Sequence, residues 1–421
     1  MGLPGARTDA NIRSQVIVCI QLPRFELAVA AGERAMLLRE PAALAPEPGS
    51  GGGGGQAIGE VSAPAEAFGV RPGMPLGEAL GRCPALTLVP PDPAGVVEAW
   101  ELALGRLESI GAAVAPERPG LVCFEQRSLH RLLGGIEAVI AAARRALRRP
   151  EARIGAGPSR FCALAAASRS RPRRAEIVGG GAAGARSYLA PLPIGLLRAA
   201  ADVTPELPLA LERLGIATLG ELAALPRAAV ADRFGVGGLH ALELVRGAGG
   251  PPRARAPGER VSESVDLPEA ALGVQLEHAM RLLIDRLLAR RERRGRTLRT
   301  AALAASLVEG GTWRERVTFR EATADAERLH LVLAPRLTGL PAPVQRLGLT
   351  VERFGPPVGD QHSLVGEATA RRDARLREAV AQVRAAAGPE AALRVVPVEP
   401  DSRVPERRAM LAPYERRPGP P

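Results

Sequence analysis

The chain has 421 residues, 46% of them apolar and only 3% aromatic, with a formal net charge of +11 and a pI near 10.9. That length predicts about two to four domains with cores of Leu, Val, Ala and Ile rather than one compact core. No secretory signal precedes Val16 and no apolar run approaches the ~20 residues needed to cross a bilayer, so a soluble, cytoplasmic protein is expected.

All 56 basic residues are arginine, and the basic balance points to a polyanionic partner, nucleic acid first. Cys19, Cys83, Cys123 and Cys162 stand far apart with no CxxC pair, which predicts neither a zinc site nor a disulfide framework. The histidines are scattered, and His130 and His240 read as surface or satisfied residues rather than metal ligands.

Val16–Ile20 reads as a buried strand, Phe25–Ala31 as the first turns of a helix, and Ala35–Arg39 as a short strand. The glycine run within "APEPGSGGGGGQ" lacks the preceding strand, following helix and Lys-Ser/Thr of a phosphate cradle, so it reads as a flexible loop tip. Pro75 opens a helix that ends before Pro84, Leu86–Val89 is a strand, and Val96–Ile110 an amphipathic helix. Leu121–Glu125 is a strand, Leu129–Leu147 a helix, Arg153–Gly157 a strand, and Arg160–Ser168 a helix. Strands and helices alternate through the first 190 or so residues, which predicts an α/β layer.

Leu207–Gly247 changes character, with short helices broken by glycine in "LERLGIATLGELAALPRAAVADRFGVGGLHALELVRG". This is the pattern of helix–hairpin–helix units. A glycine hairpin ahead of a helix turns backbone N–H groups outward, where they bind phosphate without side chains. Gly215, Gly235, Gly237 and Arg233 are the candidate DNA contacts here. "GAGGPPRARAPGER" is then a mobile, basic linker and a domain boundary.

Residues 261–355 read β-α-β-β-α-β, with a strand at Val261–Val265 and a long helix at Pro268–Arg290. The stretch Arg290–Arg299 holds six arginines and one glutamate. In "RERVTFR", Arg314, Arg316, Thr318 and Arg320 share one strand face and Val317 and Phe319 the other. Arg296, Arg299, Arg314, Arg316 and Arg320 are therefore candidate phosphate contacts. Beyond Phe354, Gly366–Ala387 reads as a helix and Arg394–Val398 as a strand within a proline- and arginine-rich tail.

This order of parts resembles the Y-family translesion DNA polymerases. "VIVCIQLPRFELAV" is similar to their first strand and helix, I-D-x-D-x-F-F/Y-A-x-V-E, and "AFGVRPGMPLGEAL" to their fingers segment. "GLVCFEQRSLHRLLGG" resembles the strand bearing their second acidic pair, and "RIGAGPSRFCALAAAS" their V-G-I-S-x-N-K-x-L-A-K-x-A segment. The resemblance covers about 15–355. It implies an α+β multidomain fold: a palm over 14–195 with fingers inserted at about 33–82, a helix–hairpin–helix thumb over 196–250, a linker at 251–260, a little finger over 261–355, and a tail over 356–421.

The departures are concentrated at the chemistry. On the family pattern the metal carboxylates of the first strand fall at Gln21 and Pro23, and the later acidic pair at Gly120 and Leu121. Phe25 is kept, the aromatic that screens out ribonucleotides falls at Glu26, and the fingers Tyr and Arg that hold the triphosphate fall at Ala63 and Glu66. Two-metal phosphoryl transfer needs carboxylates to hold cations ~4 Å apart. A relocated set of Glu26, Glu117 and Glu125 is the alternative.

The pattern resembles most the catalytically inactive homologues of the ImuB type. That likeness implies no metal and no cofactor, a sequence-nonspecific DNA-binding adaptor, and as partners a sliding clamp, an error-prone replicative-type polymerase subunit and a RecA-like accessory protein. Clamp binding in that group uses a peptide similar to Q-L-x-L-F/W. Here "DQHSLV" supplies Gln361, Ser363 and Leu364, with His362 and Val365 as departures. A residual polymerase with displaced ligands and a DNA-repair binding module without a polymerase partner are the competing readings.

Overall fold

The computed structural model describes residues 16–200 apart from 48–55, residues 202–357 apart from 249, 257 and 272, and parts of 376–413. The chain divides into two units, 1–357 and 358–421.

In the first unit the strand predicted from the apolar run at Val16 is β1 (Ile17–Gln21), the centre of a five-stranded sheet. It is followed by α1 (Phe25–Ala31). A small lobe comes next: β2 (Ala42–Leu44), α2 (Ala63–Ala67), α3 (Leu76–Arg82) and β3 (Thr87–Val89), with β2 and β3 parallel. The chain returns through α4 (Pro93–Ser109), β4 (Val114–Arg118), β5 (Leu121–Glu125), α5 (Arg127–Leu133), α6 (Ile136–Leu147), β6 (Arg153–Gly157), α7 (Arg160–Arg169) and β7 (Glu176–Ile177). The sheet order is β4-β5-β1-β6-β7, and β1 runs antiparallel to both neighbours.

Both faces of this sheet are buried, which is why β1 reads as an unbroken apolar run. Val18 and Ile20 join Val122, Phe124 and Ile154 beneath α4 and α6. Ile17 and Cys19 face the other way, with Leu121 and Cys123, against Phe161 and Leu164 of α7. That second core continues without a break into α8 (Gly181–Leu189), α9 (Glu206–Arg213), α10 (Leu219–Ala224) and α11 (Arg227–Val245), through Leu207, Leu211, Leu222 and Leu242.

The last third of the unit is β8 (Val261–Ala271), α12 (Val274–Ala289), β9 (Arg296–Leu307), β10 (Thr312–Thr323), α13 (Ala326–Leu333) and β11 (Val344–Pro357). These strands form an antiparallel sheet in the order β10-β9-β11-β8. Met280, Leu283 and Leu287 of α12 pack on Leu303, Val317, Phe319, Leu347 and Leu349. The second unit shows a hairpin of β12 (Leu393–Pro397) and β13 (Ala409–Pro413), with Val395 opposite Leu411.

Several expectations change. Cys19 and Cys123 are bonded as a disulfide, because the β1–β5 register sets them directly opposite with Cα atoms 4.2 Å apart. Sequence spacing concealed that pairing, and the expectation of no disulfide is corrected. Residues 35–39 lie in a 3-10 helix, Gly32–Arg39, not a strand. The helix expected over 129–147 is two, parted at Gly134–Gly135, where both glycines take positive φ. Strand β8 runs on to Ala271, six residues beyond the expected Val265, so α12 begins later than Pro268. β2, β4, β7 and β13 had no expected counterpart.

Candidate functional site

Of the sequence-identified positions, the sheet brings Gln21, Gly120 and Leu121 together at one end, and Pro23 lies in the turn that follows β1. Gln21, the last residue of β1, pairs with Leu121 on β5 and with Arg153 on β6. Gly120 sits in the β4–β5 turn with φ +80°, and its carbonyl accepts from the Leu22 N–H at 2.7 Å. A Cβ at Gly120 would lie 2.8 Å from the Phe25 Cβ and 3.0 Å from the Leu22 carbonyl, so only glycine fits between the turn and the start of α1.

The chemistry at this end is not that of a cation site. Gln21 is a neutral amide whose Oε1 accepts from the Ser168 hydroxyl at 3.4 Å. Leu121 is buried in the α7-side core. Arg153, directly across from Gln21, places a permanent positive charge on the adjacent strand and donates to the Ser168 carbonyl at 3.2 Å. A divalent metal needs several hard oxygen donors, carboxylates among them to balance its charge. An amide, a leucine, a glycine and a guanidinium do not fit one.

The alternative acids are not gathered either. Glu125 is opposite Ile17, at the far end of the sheet from Gln21. Glu117 is engaged by both of its oxygens to Nη1 of Arg160, at 2.9 Å each. Arg160 also pairs with Asp202, whose Oδ2 accepts from His240 Nε2 at 2.8 Å. Burial draws the Asp202 carboxyl upward, but His240 and Arg160 outweigh it and hold it below its ordinary value. His240 is thus satisfied, as expected, and so is His130, whose Nδ1 lies 2.9 Å from the Gln126 amide.

Glu26 lies in the first turn of α1, beside an ion pair that ties the sheet to the small lobe. Arg24 bonds Glu66 at 2.7 Å and the Val61 carbonyl at 2.8 Å. Glu60 accepts from the Leu27 N–H at 3.0 Å, and burial raises its pKa. Ala63 opens α2, one residue after the N-cap Ser62. The acid at Glu66 therefore serves an internal pair.

Of the helical hairpin candidates, Gly215 closes α9 in a Schellman turn, Gly215 N–H to Glu212 O and Ile216 N–H to Leu211 O, at 3.0 and 3.1 Å. Gly235 breaks α11 with φ +59° and ψ −148°, a conformation essentially confined to glycine. Around it Arg233 and Gly237 are exposed, and Val236 is 84% exposed. This hairpin presents backbone and one arginine to solvent.

The arginine strand behaves differently. The alternation is as expected, with Val317 and Phe319 buried and Arg316, Thr318 and Arg320 exposed. Arg314, however, is turned to α4. Its Nε bonds Glu98 at 2.6 Å and it also pairs with Glu352, to which Arg316 bonds at 2.6 Å. Arg296 pairs with Glu259 and stacks 4.2 Å over the Phe354 ring, and Arg299 bonds the Arg320 carbonyl. Gln361, Ser363 and Leu364 lie outside the described residues, as does most of Gly366–Ala387.

Arg153, Arg160 and Glu98 were missed by sequence reasoning. Only the antiparallel register reveals Arg153. Glu98, Glu101 and Glu108 did carry a signal, since Glu98 lies opposite Val96, Trp100, Leu104 and Leu107 on α4 and Glu101 and Glu108 flank that stripe on one side.

No helix among the described residues is long and apolar enough to cross a membrane. Residues 20–168 match the model of the impB/mucB/samB family. The chain is 27% identical over 183 residues to DNA polymerase IV of Caulobacter vibrioides, covering 42% of this chain and 44% of that one. It is 27% identical over 244 residues to DNA polymerase IV of Moorella thermoacetica, covering 56% and 60%. The matches thus span about half the length of these curated relatives. Among solved structures, a Y-family DNA polymerase chimera aligns with TM-score 0.47 and 15% identity over 80% of this chain and 99% of that one. DinB from Sulfolobus solfataricus aligns with TM-score 0.46 over the same shares, also at 15% identity.

Proposed function

We propose that this chain is a non-catalytic, Y-family-polymerase-like adaptor that binds DNA in damage-tolerant synthesis. In this reading residues 14–195 are the palm with inserted fingers, 196–250 the thumb, 251–260 the linker, 261–355 the little finger and 356–421 a partner-binding tail. One observation carries the non-catalytic part: Arg153 faces Gln21 across the β1–β6 register where a polymerase would gather carboxylates. Support for DNA comes from the +11 charge and from the exposed hairpin at Arg233–Gly237. Contacts to phosphate give strong salt dependence and little sequence preference.

The printed names of the two curated relatives favour a second reading, an active polymerase. Primer extension with magnesium separates the two. The adaptor binds a primer–template and adds no nucleotide; magnesium-dependent extension abolished by Glu26→Ala or Glu125→Ala would overturn it. Recruitment of a sliding clamp, an error-prone polymerase subunit and a RecA-like protein is tested by pull-down with full-length chain. Loss of clamp capture on changing Gln361 and Leu364 to Ala is the expected result, and no capture of any of the three would leave a DNA-binding module alone.

A further inference from the structure

On the arginine face of the four-stranded sheet Arg314 and Arg316 are already paired with carboxylates, while Arg320 is exposed. Glu98 takes Arg314 at 2.6 Å, and Asp92, the N-cap of α4, accepts from the Thr312 hydroxyl at 2.9 Å. Glu101 bonds Arg255 at 2.8 Å and lies 3.7 Å from Arg260, whose guanidinium is equally distant from Glu352. Glu108 bonds Arg255 through both oxygens, at 2.7 and 3.1 Å. The floor of this face is small: Ala302, Ala304 and Gly348 are in register beside Arg316 and Arg314, which lets α4 come close.

This junction is held by charge. Among the buried described residues, the apolar core of the four-stranded sheet shares no residue with either core of the five-stranded sheet. These pairs are largely buried, with Arg314 18% and Glu98 27% exposed, so salt screens them less than surface pairs and an anion of matching charge and geometry is what can replace them. A phosphate backbone offers guanidinium groups the same bidentate geometry as carboxylates, at higher charge density.

We propose that the carboxylate row of α4 is a built-in competitor for nucleic-acid phosphate, holding Arg314, Arg255 and Arg260 until a DNA backbone displaces Glu98 and Glu101. This deepens the DNA-binding reading above and rests on it. DNA binding then opens the α4 junction, and neutralising the row opens it without DNA.

The test uses the full chain carrying Leu132→Cys and Val274→Cys as exposed spin-label sites on the two sides of the junction, and a short fluorescein-labelled primer–template duplex. The variant is Glu98→Gln/Glu101→Gln; Glu137→Gln/Glu206→Gln, on exposed glutamates elsewhere, controls for the same change in net charge. The expected result is a label–label distance that shifts on adding DNA to the wild type and is already shifted in the variant. The variant also binds DNA about tenfold tighter than wild type and charge control, the size typical of coupled equilibria, with the gain shrinking as salt rises. Equal DNA affinity of variant and charge control, or an unshifted distance in the variant, overturns the competitor and leaves DNA binding intact. Absence of DNA binding by all three proteins overturns the DNA-binding reading itself, and the competitor with it.

Discussion

Gln21 and Arg153 stand directly opposite one another on β1 and β6, both on the α7 side of the sheet, with Ser168 bonded to each. A carboxylate at position 21 would meet a guanidinium rather than a cation from solvent. The end of the sheet is therefore built around a fixed organic cation.

Restoring acids at this end is expected to damage the fold rather than create activity. Gly120→Asp forces a β-carbon into the Phe25 side chain at a φ of +80°, costing about 1–3 kcal/mol. Leu121→Glu buries a charge in the α7-side core and costs at least as much. Urea unfolding measures both losses, and primer extension should remain absent in Gln21→Asp.

The Cys19–Cys123 bond closes a long loop, with a sequence separation of 104. Its reduction is expected to lower stability by roughly 2–4 kcal/mol. Denaturation with and without reductant checks this, and Cys123→Ala should make the chain indifferent to reductant. Cys162 is buried, with its thiol pushed up to about 12, so native protein should resist alkylation there until it unfolds.

Glu60 gives a pH signature. Burial raises its folded pKa above the ordinary 4.5, so the folded state binds more protons than the unfolded one within that window. Stability from this group is present below the window and declines as pH rises through the folded pKa. Glu60→Gln keeps an oxygen to accept from Leu27 while removing the buried charge. Its thermal midpoint should equal or exceed wild type at neutral pH, and the difference should vanish as pH falls toward 4.5. A variant less stable at neutral pH would show that the ionised form is needed.

The exposed hairpin should be separable from the fold. Arg233→Ala is expected to leave stability unchanged and to reduce the slope of log affinity against log salt by about one. Gly235→Ala, at a backbone conformation alanine resists, should cost about 1–3 kcal/mol and weaken DNA binding. Anisotropy titrations at several salt concentrations read both.

Much of the architecture was legible because it depends on local periodicity. The apolar run at Ile17–Ile20, the alternation at Val317 and Phe319, and the glycine breaks at Gly215 and Gly235 each name their element directly. The positions Gln21, Gly120 and Leu121 were legible as a set, and pairing joins them. What stayed hidden depends on register and docking. Cys19 meets Cys123 only once β1 and β5 are aligned, and Arg153 meets Gln21 only across β6. Arg314 looked like a free phosphate ligand, because its strand face says nothing of the helix that covers it. Strand β4, with Pro116 within it, carries too little β-forming sequence to stand out.

Arg255 is held twice, by its backbone N–H to the Val114 carbonyl at 2.9 Å and by its side chain to Glu101 and Glu108. The chain before the four-stranded sheet is thus moored midway, leaving only 256–260 ahead of β8 at Val261. Fully extended, that segment reaches about 17 Å, against about 34 Å for the whole of 251–260. Halving a tether raises the local concentration of one surface at the other roughly threefold. A sheet released from α4 would therefore recapture it quickly, and DNA would have to stay bound to keep the two apart.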